Sequence, residues 1–149
     1  MKLYSRVLAI LEGMLLSAPM VATGQVGSSP VDPQVSVGQK YFEQYCSACH
    51  GRDGRGRGPV ARALRTPPAD LTRIAQRRGG QFRDAEVAAF IDGRLTVPAH
   101  GSRDMPVWGA RFSEQFGSDT IGQEIVQGHL LILVDYLKSI QDYRPKKRR

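Results

Sequence analysis

Two thiols and an imidazole fall within five consecutive residues, Cys46-Ser47-Ala48-Cys49-His50, and these are the chain's two cysteines. Cysteines three apart on a helical turn project in similar directions. Each sulfur can then form a thioether with one vinyl group on the same edge of a single porphyrin. His50 follows directly and offers an imidazole nitrogen to the iron. Cys-x-x-Cys-His is the attachment signature of a c-type haem. Other chemistries fit two such cysteines less well. A thioredoxin-like redox pair needs a surrounding βαβ pattern, and none is visible. A structural zinc site needs two further ligands, and neither His100 nor His129 is paired with another ligand at suitable spacing.

An iron held by histidine on one face often takes a methionine thioether on the other. Met1, Met14 and Met20 fall at the N-terminus, which leaves Met105. Pro106 stiffens the backbone directly after it. A methionine filling a core gap is the competing reading. His100, five residues before Met105, and His129, further on, are the rival ligands. Trp108 is expected to pack on the haem rim with its N–H toward a propionate. The candidate set is therefore Cys46, Cys49, His50 and Met105 for one covalent haem c, with His50 and Met105 as iron ligands and no catalytic residue.

Those residues must be carried by short helices. Ser36 and Gln39 form a capping box that predicts a helix from about Val37 to Tyr45. Gly38, Phe42 and Tyr45 share one face. Glycine at a helix start costs about 1 kcal/mol against alanine, and a second helix crossing closely there would account for it. Gly51 to Pro59 alternates glycine with charge, so no regular element fits, and the backbone is free to wrap a flat cofactor. The run lacks the Gly-Lys-Ser/Thr ending and preceding strand of a phosphate loop. Val60 to Leu64 reads as one helical turn. Thr66-Pro67-Pro68-Ala69 breaks the chain, and Asp70 can cap a helix over Leu71 to Arg78. Asp84 caps another over Ala85 to Ile91, ended by Gly93. Residues 94–117 read as one long irregular stretch containing Met105. A second capping box, Thr120 and Gln123, opens a last helix to about Ile140. Its face is Val126, Leu130, Leu133, Leu137 and Ile140, and the apolar run Leu130 to Val134 predicts burial all round.

The 149-residue chain has room for one domain. Lys2 and Arg6, the apolar run Val7 to Leu16 and the small residues from Ala18 to Gly24 read as an export signal over residues 1–24, with an uncleaved anchor or a disordered leader as alternatives. The expected remainder is a flexible lead-in at 25–35, a haem domain at 36–143 and a basic tail at 144–149. Export suits a haem-bearing cysteine pair, which an oxidising compartment would otherwise close as a disulfide.

From about residue 36 to 140 the chain resembles a class I, single-haem bacterial cytochrome c. The resemblance rests on Gly38 and Phe42 in the first helix, the Cys-x-x-Cys-His turn, a glycine-rich loop ending Gly58-Pro59, the Met105-Pro106 loop, and Tyr136-Leu137 in the last helix. It implies an all-α cytochrome c fold, four to five short helices wrapped around one covalently bound haem. It implies that the first and last helices cross near Gly38. It also implies that the Pro59 carbonyl accepts a hydrogen bond from His50 and fixes that ligand. The arginine-rich loop and basic tail depart from the family pattern.

Formal net charge is +7. Residues 52–83 hold nine arginines against Asp53 and Asp70, whereas residues 84–143 hold four basic and nine acidic groups. Such asymmetry orients encounters. It predicts redox-protein partners with an acidic docking face, no nucleic acid, and at most weak peripheral membrane contact through Lys146 to Arg149. The expected role is a periplasmic one-electron carrier or electron-transfer subunit. The alternative is a haem enzyme, or a gas- or peroxide-binding protein, with a labile distal ligand. His100 and Arg103 are the candidates near such a site.

Overall fold

A computed structural model describes residues 32–94 and 105–143. The expected leader at 1–24, the lead-in as far as residue 31, the loop carrying His100 and Arg103, and the tail lie outside these residues. The described residues hold six α-helices and no strand: α1 Pro33–Tyr45, α2 Ser47–His50, α3 Ile74–Arg77, α4 Asp84–Asp92, α5 Trp108–Phe116 and α6 Thr120–Ser139. Short 3-10 turns at Ala61–Ala63 and Leu71–Arg73 link them. The all-α expectation holds, with one or two more helices than predicted.

Both expected capping boxes give way to an aspartate one or more residues upstream. In α1 the cap is Asp32, whose carboxylate accepts from the Gln34 N–H at 2.8 Å, with Pro33 at the first helical position. Ser36 is thus inside the helix, and Gln39 bonds Glu43 at 3.2 Å. In α6 the cap is Asp119, accepting from the Gly122 N–H at 2.8 Å. Gln123 turns away to Arg94 at 2.7 Å and Ser113 at 3.3 Å. Asp119→Ala should therefore cost about 1 kcal/mol and Thr120→Ala only a few tenths; urea titration of the two variants distinguishes them.

The core lies where α1 crosses α6. Phe42 is fully buried and its ring lies 5.1 Å from that of Tyr136. Val126, Leu130, Leu133, Val134 and Leu137 complete the buried stripe of α6, and Ile140 is half-buried against it. The helix is not apolar-buried all round, since Leu131 is 54 % exposed. Gly38 is buried, and a Cβ there would meet the Ile132 carbonyl and come within 2.7 Å of the Tyr136 Cβ. The close crossing expected at this glycine is present.

Within the supposedly irregular stretch the structure has α5. Trp108, Phe112 and Phe116 lie four apart on one face of it and form a chain of aromatic contacts. Gly109 is buried here because a Cβ would stand 2.6 Å from Arg94 Nε. Arg94 joins three helices. It grips Asp92 at 2.6 and 2.9 Å, at the end of α4, and reaches Ser113 on α5 and Gln123 on α6. The hydrogen bond from Arg94 holds the Asp92 carboxyl below the usual carboxylate range despite partial burial. A depressed folded-state pKa means stability that is complete above the unfolded carboxylate pKa, about 4, and lost as pH falls through the lower folded value. Asp92→Asn should flatten the acid limb of a stability–pH curve and leave its alkaline limb unchanged.

Candidate haem-binding site

The attachment turn is a break between two helices. Cys46 ends α1, its N–H donating to the Phe42 carbonyl, and also precedes α2. The His50 N–H returns to the Cys46 carbonyl at 2.9 Å, so both thiols and the imidazole occupy one helical turn. Gly51, at φ 77°, reverses the chain. The loop then folds back on α2 through three bonds to successive carbonyls: Gly56 N–H to His50 at 2.7 Å, Gly58 to Cys49 at 3.0 Å and Val60 to Ala48 at 3.1 Å. Gly58 permits this approach, for a Cβ there would lie 2.6 Å from the Ala48 carbonyl carbon.

His50 Nδ1 lies 3.0 Å from the Ala69 carbonyl. A carbonyl only accepts, so Nδ1 carries the hydrogen and Nε2 keeps its lone pair for a metal. The resemblance had implied Pro59 for this task. With its neighbours Gly58 and Val60 bonded to Cys49 and Ala48, Pro59 is instead exposed on the rim, and Ala69 supplies the carbonyl. The Ala69 segment is well secured. Asp70 accepts from Thr72 N–H at 3.0 Å and from its hydroxyl at 2.6 Å, and the Leu71 N–H donates to Gly54 at 2.7 Å. Gln141, beyond α6, accepts from the Ala75 N–H at 2.9 Å and donates to the Leu71 carbonyl at 2.8 Å. The helix expected over Leu71 to Arg78 is split into a 3-10 turn and α3 within this clasp. Sequence reading missed Ala69 because a backbone acceptor leaves no side-chain signal; the Pro67-Pro68 pair ahead of it was the available hint.

Burial lowers the His50 pKa and the Ala69 bond only partly offsets this, which favours the neutral, ligating imidazole. Cys46 and Cys49 are both unbridged and half-buried. Burial, with Cys49 beside it, pushes the Cys46 thiol up to about 12. Met105 is half-buried at the lead into α5, against the same apolar cluster that Cys46 and Trp108 flank. Trp108 stands edge-on to Tyr45, ring centres 5.6 Å apart. His129 is engaged in packing: its ring stacks on Tyr41 at 4.6 Å, lies 4.4 Å from Phe116, and its Nδ1 bonds the Ile125 carbonyl at 2.9 Å. No described helix is long and apolar enough to cross a membrane.

The donors present suit a haem: two free thiols on one turn and a neutral imidazole with a fixed tautomer. An all-helical domain built around that turn is a c-type cytochrome, a class that carries haem c and moves electrons. Residues 33–116, more than half of the chain, match the family of cbb3-type cytochrome c oxidase subunit III, and the chain belongs to that family. No curated protein and no solved structure matched the chain.

Proposed function

We propose that the protein is an exported, single-haem cytochrome c that passes one electron at a time between periplasmic redox proteins, as a free carrier or as a subunit of an oxidase complex. The observation that carries this reading is the His50–Ala69 hydrogen bond, which presents Nε2 as a ligand within the turn that holds both thiols. Cys46 and Cys49 would hold the porphyrin, and His50 and Met105 would supply donors to its iron. When bound, the haem supplies a one-electron ferric/ferrous couple. The chain's own residues do the rest. Ala69 orients the imidazole, the Gly51–Val60 fold covers the attachment turn, and α5 carries Trp108, with Met105 three residues before it on the lead into that helix. Two donors leave no coordination position for substrate, so transfer is favoured over catalysis. The single Cys-x-x-Cys-His run supports one haem. The excess of arginine over residues 52–83 supports docking to acidic partners. The leader at 1–24 supports export.

The test is spectroscopy of the haem-loaded protein. The ferric form should show a far-red sulfur-to-iron band, and the ferrous form should not change on adding carbon monoxide. A carbon monoxide adduct in the unaltered protein would assign it instead to the gas- or peroxide-handling class.

A further inference from the structure

Most of the arginines in residues 52–83 are already engaged. Arg52 pairs with Glu43, Arg55 and Arg57 with Asp53, Arg73 with Asp70, and Arg78 and Arg83 with Glu86. Arg77 donates to the Asp70 carbonyl at 2.8 Å. Arg62 and Arg65 are exposed and pair with nothing among the described residues. Residues 54–69 contain no acid at all, so nothing nearby in the chain neutralises these two.

Their position is specific. Arg62 lies in the 3-10 turn Ala61–Ala63, directly after Val60, whose N–H is bonded to Ala48, the residue between Cys49 and Ser47 on the attachment turn. Val60 is 42 % exposed, and Ala48, Pro59 and Ala63 are exposed with it. An apolar centre rimmed by arginine and free of acid is the composition of a protein-docking face. An unpaired guanidinium is the group best suited to take a carboxylate bidentately.

From this we infer that the turn at residues 59–65, seated on Ala48, is the electron-exchange face, and that its occupant is a redox protein presenting an apolar centre ringed by carboxylates. This rests on the electron-transfer reading above and narrows nine arginines to two. A partner seated here meets the chain at the peptide that bears both attachment cysteines. The seven engaged arginines contribute less to recognition, because four carboxylates offset part of their charge and each guanidinium already spends donors within the chain.

The test measures electron transfer from the ferrous, haem-loaded full chain to an oxidised acidic blue-copper protein, used as the probe, by stopped flow. R62E/R65E should slow the second-order rate about tenfold at low salt, with the gap closing as salt screens the charges. Val60→Ser should slow it at both low and high salt. K40E/R111E carries the same charge change on cations of α1 and α5 that are exposed and unpaired among the described residues, and should stay within about twofold of the parent at low salt. Equal slowing in the two doubles would mean that net charge alone governs the encounter, and the face is then wrong. Loss of binding to anionic phospholipid vesicles by R62E/R65E, with unchanged transfer rates, would also overturn it, in favour of a membrane. A parent protein that binds carbon monoxide and reduces no probe fails the electron-transfer reading itself, and this proposal with it. An unchanged haem spectrum in each variant verifies that it is folded.

Discussion

Replacing Met105 with leucine should abolish the far-red band of the ferric protein, open the ferrous iron to carbon monoxide, and lower the reduction potential on the order of 0.2 V, a fraction of the range that axial ligands span. The direction follows from the donor. A thioether is a soft, neutral ligand and favours the ferrous state, so its loss favours the ferric state. Leucine is the informative replacement because it nearly conserves volume; in a core position such a swap usually costs less than about 1.5 kcal/mol. Met105 is half-buried against the cluster of Phe42, Phe112 and the α6 stripe, so Met105→Ala would mix a packing loss with the loss of the sulfur. If Met105 only fills space there, the leucine variant keeps the parent spectrum and the parent potential. Met105→His adds a third arm. It restores a sixth ligand, so carbon monoxide is again refused, while the sulfur band stays absent.

How far the chain could be read depended on what carries each signal. The turn from Cys46 to His50 was legible as a candidate site because its side chains stand at fixed spacing, and the family match agrees with a haem-carrying class. Gly38 and the stripe from Val126 to Leu137 were legible because a close crossing and a buried face each impose periodicity. The family match supports the resemblance drawn from these features. The caps were misread because Ser36–Gln39 and Thr120–Gln123 satisfy the pattern, while a neighbouring aspartate offers a stronger acceptor and captures the first turn. Helix α5 was within reach, as Trp108, Phe112 and Phe116 recur every four residues. Gly109 and Gly117 masked it, and the reason for Gly109 is tertiary: the Asp92–Arg94 pair presses on that position. The carbonyl that orients His50 was out of reach, because any of several backbone oxygens could serve and only the folded course of residues 66–72 selects Ala69.

The same substitution at two glycines should change stability in opposite directions. Gly38→Ala is expected to destabilise the protein by about 2–3 kcal/mol, the upper part of the usual cost of overpacking. Alanine is the better helix former by about 1 kcal/mol, so propensity alone predicts the reverse sign. Contact decides the outcome. The new methyl would meet a main-chain carbonyl of α6 and the Cβ of Tyr136, and neither is the far end of a flexible side chain that could swing aside. Relief requires α1 to move off α6, and α1 ends at the residue before Cys46, so the attachment turn moves with it. Gly128 lies on α6 with nothing within 4 Å of where a Cβ would stand. There propensity acts unopposed, and Gly128→Ala should stabilise by about 0.5–1 kcal/mol. Denaturant titration of both variants against the parent reads the two signs directly, and an unchanged slope for each shows that the difference is one of stability. Equal and positive shifts would mean that the helices part at Gly38 without penalty, and the crossing would then not be what places Cys46.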